Sequence, residues 1–220
     1  MKTWIILPAF NEEKNILEVI RQIKHKKLPI IVVDDGSTDS TYSKVEGEKV
    51  EVLLKNKQNL GKGASIRVAF RYIIDNKLDC DAAIIMDSDA QHLPQELDSF
   101  IKKLKEGSFF VLGNRLSNPK DMPWLRIITN KCMSFLLSRM VKQKVPDTQC
   151  GFKGLRKELL EKLSLTTSKY EIDSEFIIKV ASLGYRIDSI PIKSIYRKQR
   201  SDINPFLDSC RFIRYILKVR

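Results

Sequence analysis

Short, uninterrupted apolar runs alternate with amphipathic stretches through the first half of this 220-residue chain, and this alternation limits the possible folds most strongly. We expect a strand at each apolar run: residues 4–7, 29–33, 50–54, 82–86 and 109–112. The spacing of apolar residues between the runs predicts a helix capped at Asn11 and helices over residues 61–76 and 94–104. Strands that are apolar throughout are buried on both faces. The pattern therefore predicts an α/β fold with a doubly wound, mostly parallel sheet and helices on both faces.

After Gly113 the pattern changes, which predicts a modified C-terminal third. The elements expected there are a loop over 116–122, a helix over 124–141, a strand over 151–155, helices over 156–163 and 174–183, strands over 186–190 and 192–196, and a basic amphipathic helix over 204–220. No linker interrupts the pattern, so we expect a single domain over residues 1–220.

The charge of the chain favours anionic partners. Lys and Arg number 39 against 27 Asp and Glu, a formal net charge of +12, which suits nucleic acid, an acidic membrane surface or phosphorylated substrates. The basic residues are spread along the chain and are not interleaved with aromatic residues in one module, so we expect no nucleic-acid partner. Composition says nothing about the oligomeric state.

Cysteine usage and hydropathy predict the compartment. None of the four cysteines belongs to a C-x-x-C pair, and scattered thiols are typical of a reducing compartment. The first residues lack a signal-peptide layout, and no stretch has the roughly 18 uninterrupted apolar residues of a membrane-spanning helix. We therefore expect a cytoplasmic protein.

Acidic residues recur where the predicted strands end. The first strand leads into residues 8–12, the second into 34–39 and the fourth into 87–92, and each segment contains carboxylates. Ligands of open α/β sheets bind beyond the carboxyl ends of the strands. Gathered carboxylates repel one another unless a cation compensates, and Mg²⁺ is typically held by one or two carboxylates plus substrate phosphates. Asp87 and Asp89 are therefore predicted to bind a metal–diphosphate, with a solvated loop as the alternative.

Other anion sites and catalytic patterns do not match. A P-loop around Lys62 would need Gly at Asn56 and Ser or Thr at Gly63. No G-x-G-x-x-G follows the first strand, which argues against a dinucleotide-dependent oxidoreductase. The two histidines, His25 and His92, belong to no Ser-His-Asp arrangement that the sequence allows us to place, although His92 could line the site.

Motifs in the first half resemble those of family 2 glycosyltransferases with the GT-A fold. They are Leu7-Pro8-Ala9-Phe10-Asn11-Glu12, Val32-Val33-Asp34-Asp35-Gly36-Ser37-Thr38-Asp39, Asn59-Leu60-Gly61-Lys62-Gly63 and Met86-Asp87-Ser88-Asp89-Ala90-Gln91-His92. The second half resembles the polyprenyl-phosphate sugar transferases, namely dolichyl-phosphate mannose and glucose synthases. Its matching motifs are Gly113-Asn114-Arg115, Asp147-Thr148-Gln149-Cys150-Gly151-Phe152-Lys153, Tyr170-Glu171-Ile172-Asp173-Ser174-Glu175 and Ile190-Pro191-Ile192.

The resemblance implies a nucleotide-sugar donor half over residues 1–115 and an acceptor half over 116–203. The residues that it assigns to the donor are Pro8, Phe10, Glu12, Asp34, Asp35, Lys62, Gly63, Asp87, Ser88, Asp89 and Arg200. It implies Mg²⁺ or Mn²⁺ at Asp87 and Asp89. Relatives often have Tyr at the position of Phe10, so a stacking contact is kept here while a hydroxyl bond is lost.

The resemblance also implies the catalytic and acceptor residues. The catalytic set is Asp89, Gln91, Arg115 and Asp147, and the acceptor set is Arg115, Arg126, Lys153, Asp173 and Glu175. If the acceptor is a polyprenyl phosphate, its phosphate is already anionic and needs only cationic positioning. If the acceptor is a sugar hydroxyl, a base is needed, and Asp147, Asp173 or Glu175 are the candidates. The basic loop 197–201 could close over the diphosphate, although a solvated charge run explains it nearly as well. In this loop Arg200 is predicted to contribute more to donor binding than Lys198.

Two further hypotheses concern the membrane and other classes of protein. The helices over 124–141 and 204–219 have the composition of interfacial helices, which predicts peripheral attachment to the cytoplasmic face of an anionic membrane, unless their apolar faces pack on the sheet. The intact Asp-x-Asp argues against a non-catalytic binding module. Residues 8–12 lack the Gly-rich basic loop of a sugar-nucleotide pyrophosphorylase.

Overall fold

A computed structural model describes residues 1–120, 122–169 and 171–195, which form one seven-stranded sheet with seven α-helices. The strands are β1 (Thr3–Ala9), β2 (Ile30–Asp34), β3 (Val52–Lys55), β4 (Ala82–Ile85), β5 (Phe110–Asn114), β6 (Lys153–Arg156) and β7 (Ile187–Pro191). The helices are α1 (Ile16–His25), α2 (Thr41–Glu48), α3 (Lys62–Asp75), α4 (Leu97–Lys105), α5 (Trp124–Val141), α6 (Lys157–Lys162) and α7 (Ile172–Ser182).

The sheet has the strand order β3-β2-β1-β4-β6-β5-β7. β6 is antiparallel to β4 and β5, whereas the other neighbouring pairs are parallel. All residues of β1, β2 and β4 are buried, so both faces of the central sheet are covered, as the apolar runs predicted. The prediction of a mostly parallel α/β sheet is confirmed, and the carboxyl ends of β1, β2 and β4 lie together at one edge.

The structure corrects three local predictions. Asn11 does not cap α1, which begins at Ile16, because Asn11 has a left-handed φ of 55° and lies in a loop. Helix α2 was not predicted, since few of its residues are apolar and only Thr41 and Val45 are buried. The predicted strand over 192–196 is wrong where the structure describes it, because beyond Pro191 there is a single bridge between Ser194 and His92.

Helix α5 presents a mixed face to the protein and five large apolar side chains to the outside. Its buried residues are Asn130, Ser134 and Leu137, whereas its large exposed side chains are Trp124, Leu125, Ile128, Phe135 and Leu136. The alternative that the apolar face of this helix packs on the sheet is therefore wrong for these five residues. In the described ranges, no helix combines the length and the apolar character that crossing a bilayer requires.

Some predictions fall on residues outside the described ranges. They are the basic helix over 204–220, the loop over 197–201 with Lys198 and Arg200, and Tyr170 in the motif that precedes α7.

Candidate active site

The first wall of the site is formed by the loops that follow β1 and β2. The Asn11 N–H donates to the Ser37 hydroxyl (3.0 Å), and the Glu12 N–H donates to the threonine hydroxyl at the start of α2 (2.8 Å). Pro8 is buried within β1, whereas Phe10 is 36% exposed at the strand end. The two loops are thus fixed to each other beside an accessible aromatic side chain.

Asp34 and Asp35 are both buried at the end of β2, but their carboxylates have different partners. Asp35 accepts hydrogen bonds from the N–H groups of Leu60 (3.1 Å) and Gly61 (2.7 Å) and from the Asn56 side chain (2.7 Å). Asp34 accepts one loop N–H at 3.3 Å, while its Oδ1 is buried without a hydrogen-bond partner among the described residues. Because an unpaired buried acceptor costs free energy, a ligand N–H at Asp34 Oδ1 would be stabilising.

The Asp87/Asp89 pair follows the end of β4 and is fixed to the first wall. The Ser88 hydroxyl donates to the carbonyl oxygen of Pro8 (2.9 Å), and Asp89 Oδ1 accepts the Gln91 N–H (2.9 Å). The Ser88 bond places the carboxylate pair beside the end of β1, and the Gln91 bond orients Asp89. The structure therefore brings together the residues that the sequence placed at neighbouring strand ends.

The two carboxylates differ in their electrostatic surroundings. Burial alone would raise the pKa of Asp87, but the Lys62 ammonium, 2.6 Å from Asp87 Oδ1, outweighs it and holds that pKa well below 3.8. Burial and the neighbouring Asp87 raise the pKa of Asp89 to about 6, against a smaller opposing effect of Arg126. Asp89 is thus a carboxylate whose negative charge is incompletely compensated.

This pair fits a divalent cation that is bound together with a diphosphate. In the described part of the chain, no group of three or more His, Cys, Asp or Glu side chains is arranged to hold a metal. Two carboxylates suffice for Mg²⁺ when substrate phosphates provide further oxygen ligands. A divalent charge would also relieve the repulsion that raises the pKa of Asp89. The residues present therefore fit the metal, which Asp87 and Asp89 would hold.

His92 supports the pair from beneath as a neutral side chain. Burial lowers the pKa of His92 to about 4, and its Nδ1 accepts the Asp87 N–H at 3.4 Å. Its ring lies 5.1 Å from that of Phe152, which stacks on Phe100 at 4.3 Å. His92 therefore positions the backbone of Asp87 and carries no charge at neutral pH.

The backbone on either side of Lys62 packs against residues 167–168. The Gly63 N–H donates to the Ser168 carbonyl oxygen (2.8 Å). A Cβ would lie 2.3 Å from the Ser168 oxygen if added at Gly61, and 2.4 Å from the Thr167 oxygen if added at Gly63. The close approach of this loop therefore explains both glycines, while the Lys62 side chain is the part of the motif that faces the site. A donor contact of Gly63 stays a prediction.

Arg115 and Asp147 form a buried ion pair. Asp147 accepts Arg115 Nε (2.8 Å), Nη2 (2.9 Å) and the Arg115 backbone N–H (3.0 Å). Burial would raise the pKa of Asp147, but the Arg115 charge outweighs it and lowers that pKa. Asp147 thus fixes the orientation of Arg115 and is poorly suited to accept a proton.

The other two predicted base candidates are also engaged. Glu175 accepts the backbone N–H and the hydroxyl of both Thr166 and Thr167, at 2.7–2.8 Å. These bonds outweigh the effect of burial and lower the pKa of Glu175. Asp173 is paired with the buried Lys153. All three carboxylates that were predicted as possible bases are therefore engaged in hydrogen bonds or ion pairs within the protein.

Sequence reasoning missed the inward polar face of α5. Arg126, Asn130 and Ser134 are four residues apart, a spacing that places them on one face of the helix. Ser134 accepts the Thr148 N–H (3.0 Å), and the Asn130 amide nitrogen is buried without a hydrogen-bond partner in the described ranges. Arg126 is half-buried and acts electrostatically on Asp89. The four-residue spacing is visible in the sequence, but the many apolar residues of α5 gave no indication that this polar face points toward the protein.

The sheet topology, together with the Asp residues at the ends of β2 and β4, defines an enzyme with the GT-A fold. Residues 4–164 match the model of glycosyl transferase family 2, and the chain belongs to this family. A structure of glucosyl-3-phosphoglycerate synthase from Mycobacterium tuberculosis with Mn²⁺, uridine diphosphate and glucosyl-3-phosphoglycerate shares the fold, with a TM-score of 0.73 and 22% identity over 99% of this chain and 79% of that chain.

The names of two relatives refer to polyprenyl-type lipids. The UDP-N-acetylglucosamine–dolichyl-phosphate N-acetylglucosaminyltransferase of Methanococcus voltae is 31% identical over 217 residues, 88% of this chain and 85% of its own. The polyprenol monophosphomannose synthase of Mycolicibacterium smegmatis is 23% identical over 205 residues, 87% of this chain and 76% of its own. This protein is therefore a family 2 glycosyltransferase with dolichyl-phosphate sugar transferases among its relatives.

Proposed function

We propose that this enzyme transfers a hexose from a nucleotide sugar to a polyprenyl phosphate, with inversion and with Mg²⁺ or Mn²⁺ at Asp87 and Asp89. The observation that carries the proposal is the state of the acceptor-side carboxylates, since Asp147, Asp173 and Glu175 are all engaged by donors. A sugar hydroxyl needs a base, whereas a lipid phosphate is already anionic at neutral pH. The dolichyl-phosphate relatives support the same choice.

The donor would bind across the ends of β1, β2 and β4. Phe10 offers an exposed aromatic face for the base, and Asp34 Oδ1 offers a buried acceptor for a base N–H. Uracil and guanine both carry a ring N–H, which suits a UDP-sugar or a GDP-sugar. Asp35 would contribute indirectly by holding the loop that carries Lys62.

The chain's own residues would align the two substrates. When bound, the metal supplies positive charge that stabilises the departing nucleoside diphosphate. Arg126, half-buried on α5, would hold the acceptor phosphate on the face of the sugar opposite the diphosphate, and Gln91 would face the sugar. A phosphate oxygen then bonds to the anomeric carbon as the bond to the diphosphate breaks, through an oxocarbenium-like state. Arg115, oriented by Asp147, would provide a fixed positive charge beside it.

A transfer assay with three acceptors tests the proposal. A thermal-shift screen of UDP, GDP and their sugars with Mn²⁺ or Mg²⁺ first identifies the donor, because a ligand of the folded state raises the melting temperature. The donor is then offered with polyprenyl phosphate, with the matching polyprenol and with a soluble oligosaccharide. We expect product from polyprenyl phosphate alone. Transfer to the oligosaccharide but not to the lipid phosphate would establish the sugar-hydroxyl alternative.

Arg126→Ala tests the acceptor contact. We expect the KM for polyprenyl phosphate to rise about ten-fold or more, with little change in the KM for the donor, because a charged hydrogen bond to phosphate contributes about 1.5–3 kcal/mol. Lys131→Ala is the matched control, since Lys131 is an exposed cation on the same helix. Equal effects of the two substitutions would contradict the assignment of Arg126.

We further propose peripheral attachment to the anionic cytoplasmic face of a membrane through the apolar outer face of α5. Trp124 is 71% exposed and Phe135 is 63% exposed, on a chain of net charge +12. Flotation with anionic liposomes at low ionic strength should recover the protein, and added salt should weaken the recovery. Phe135→Ser should reduce flotation, whereas Leu183→Ser, at a 43% exposed position outside α5, should not. Protein that stays behind at low salt would overturn this attachment.

A further inference from the structure

Lys62 lies between two carboxylates that belong to different parts of the chain. Its Nζ is 2.6 Å from Asp87 Oδ1 and 3.8 Å from Asp173 Oδ2. Asp87 follows β4, whereas Asp173 is in the first turn of α7 and also binds Lys153. One ammonium group therefore connects the proposed metal site with the region after β5.

The surroundings of Lys62 fix its backbone and close one side of its pair with Asp87. The neighbouring glycines are packed against residues 167–168, which fixes the main chain. A Cβ added at Gly151 would lie 2.2 Å from Asp87 Oδ2 and 2.6 Å from Lys62 Nζ, so the backbone at Gly151 closes one side of the pair. The Lys62 side chain is 14% exposed. After Asp87, the carboxylate nearest to its ammonium group in the described part of the chain is that of Asp173.

We propose that Lys62 is an internal cation that neutralises Asp87 until the metal binds, and that Asp173 receives its ammonium group when Asp87 becomes a metal ligand. This rests on the metal site of the proposed function but not on the identity of the acceptor. Lys62 is a positioning residue in this role. The ion pair with the buried Lys153 fixes the position of the Asp173 carboxylate, which would receive the displaced ammonium group of Lys62.

Charge and distance favour such a displacement. A metal ion binds a carboxylate oxygen at about 2.0–2.2 Å, so an ammonium 2.6 Å from the same oxygen would lie within about 5 Å of a divalent charge. That repulsion is strong in a partly buried site. A shift of about 1 Å toward Asp173 would bring the ammonium within hydrogen-bonding distance, since the present separation is 3.8 Å.

Mn²⁺ titration of the full chain without nucleotide, followed by electron paramagnetic resonance of the free ion, tests the proposal independently of transfer activity. We expect Lys62→Met to bind Mn²⁺ about ten-fold more tightly than the wild type, because the competing cation is gone. Lys62→Arg keeps the charge and should bind no more tightly than the wild type. Lys105→Met, an exposed position in the last turn of α4, is the control and should change nothing.

Asp173→Asn distinguishes a relocating lysine from a general effect of charge. It should weaken Mn²⁺ binding about five-fold in the wild type and less than about two-fold in Lys62→Met, because only the wild type has an ammonium to relocate. Equal effects in the two backgrounds would overturn the role of Asp173. Unchanged or weaker binding by Lys62→Met, or equal gains by the Met and Arg variants, would overturn the proposal even if Asp173→Asn fails to fold. These Mn²⁺ titrations do not test transfer to a lipid phosphate, which is decided by the assay with three acceptors.

Discussion

At the ends of β2 and β4, one carboxylate of each Asp pair, Asp34 and Asp89, is less completely engaged by donors or cations than the carboxylates that follow β5. Asp34 keeps a buried oxygen without a partner in the described ranges, and the pKa of Asp89 is raised to about 6. Asp147 and Glu175 accept three and four hydrogen bonds from named donors, and both have lowered pKa values. The same residue type therefore prepares a ligand site in one region and holds the fold together in the other.

The largest expected effect comes from removing the charge at the donor edge. Asp89→Asn should lower the rate of transfer by on the order of 10³-fold, because a group that helps to stabilise the leaving charge is lost. The melting temperature of the metal-free protein should not fall, since an incompletely compensated charge is removed. Asp98→Asn, at a 73% exposed side chain on α4, should change neither quantity. A large loss of stability in Asp89→Asn would break the distinction between the two regions.

Asp147→Asn should show the opposite pattern. The free energy of unfolding measured in urea should fall by about 3–5 kcal/mol, because the buried Arg115 would lose the carboxylate of its ion pair. Replacing both residues together, as Arg115→Met with Asp147→Leu, should recover much of that stability. If Asp147→Asn keeps its stability and loses only activity, Asp147 acts in catalysis, as the sequence resemblance implied.

A change of pH should have a smaller effect, on the affinity of the site for Mn²⁺. The pKa of about 6 at Asp89 means that protons compete with the metal below that pH, while Asp87, with a lowered pKa, stays ionised. Affinity for Mn²⁺ should be constant above about pH 7 and should fall about five-fold between pH 6 and pH 5. Titration at several pH values measures this directly. A flat affinity over that range would show that Asp89 is as well compensated as Asp147.

Most of the fold could be predicted from local patterns. The apolar runs located the strands of the first half, because strands buried on both faces lack polar positions. Helix α2 escaped prediction, since tertiary packing of Thr41 and Val45 stabilises it more than any periodic pattern does. The antiparallel direction of β6 depends on how the chain returns after α5, and no short sequence window records that.

The proximity of the candidate site residues was predicted in part. The strand-end residues at the edge of β1, β2 and β4 were identified because turn and carboxylate chemistry is visible in short motifs. The donor contact of Gly63 stays a prediction, whereas the packing of both glycines around Lys62 against residues 167–168 was not predicted. That packing joins segments more than a hundred residues apart, which a motif cannot reveal.

The sequence alone determined the positions of most strands along the chain, the family resemblance and the carboxylates at the strand ends, because side-chain periodicity and turn chemistry act between near neighbours. Only the tertiary structure decided which carboxylates are neutralised. Asp147 meets Arg115 across 32 positions, and Asp87 meets Lys62 from the helix that follows another strand. Burial and charge compensation depend on atoms that the fold brings together from distant parts of the chain, and these distinguish a ligand site from a structural ion pair.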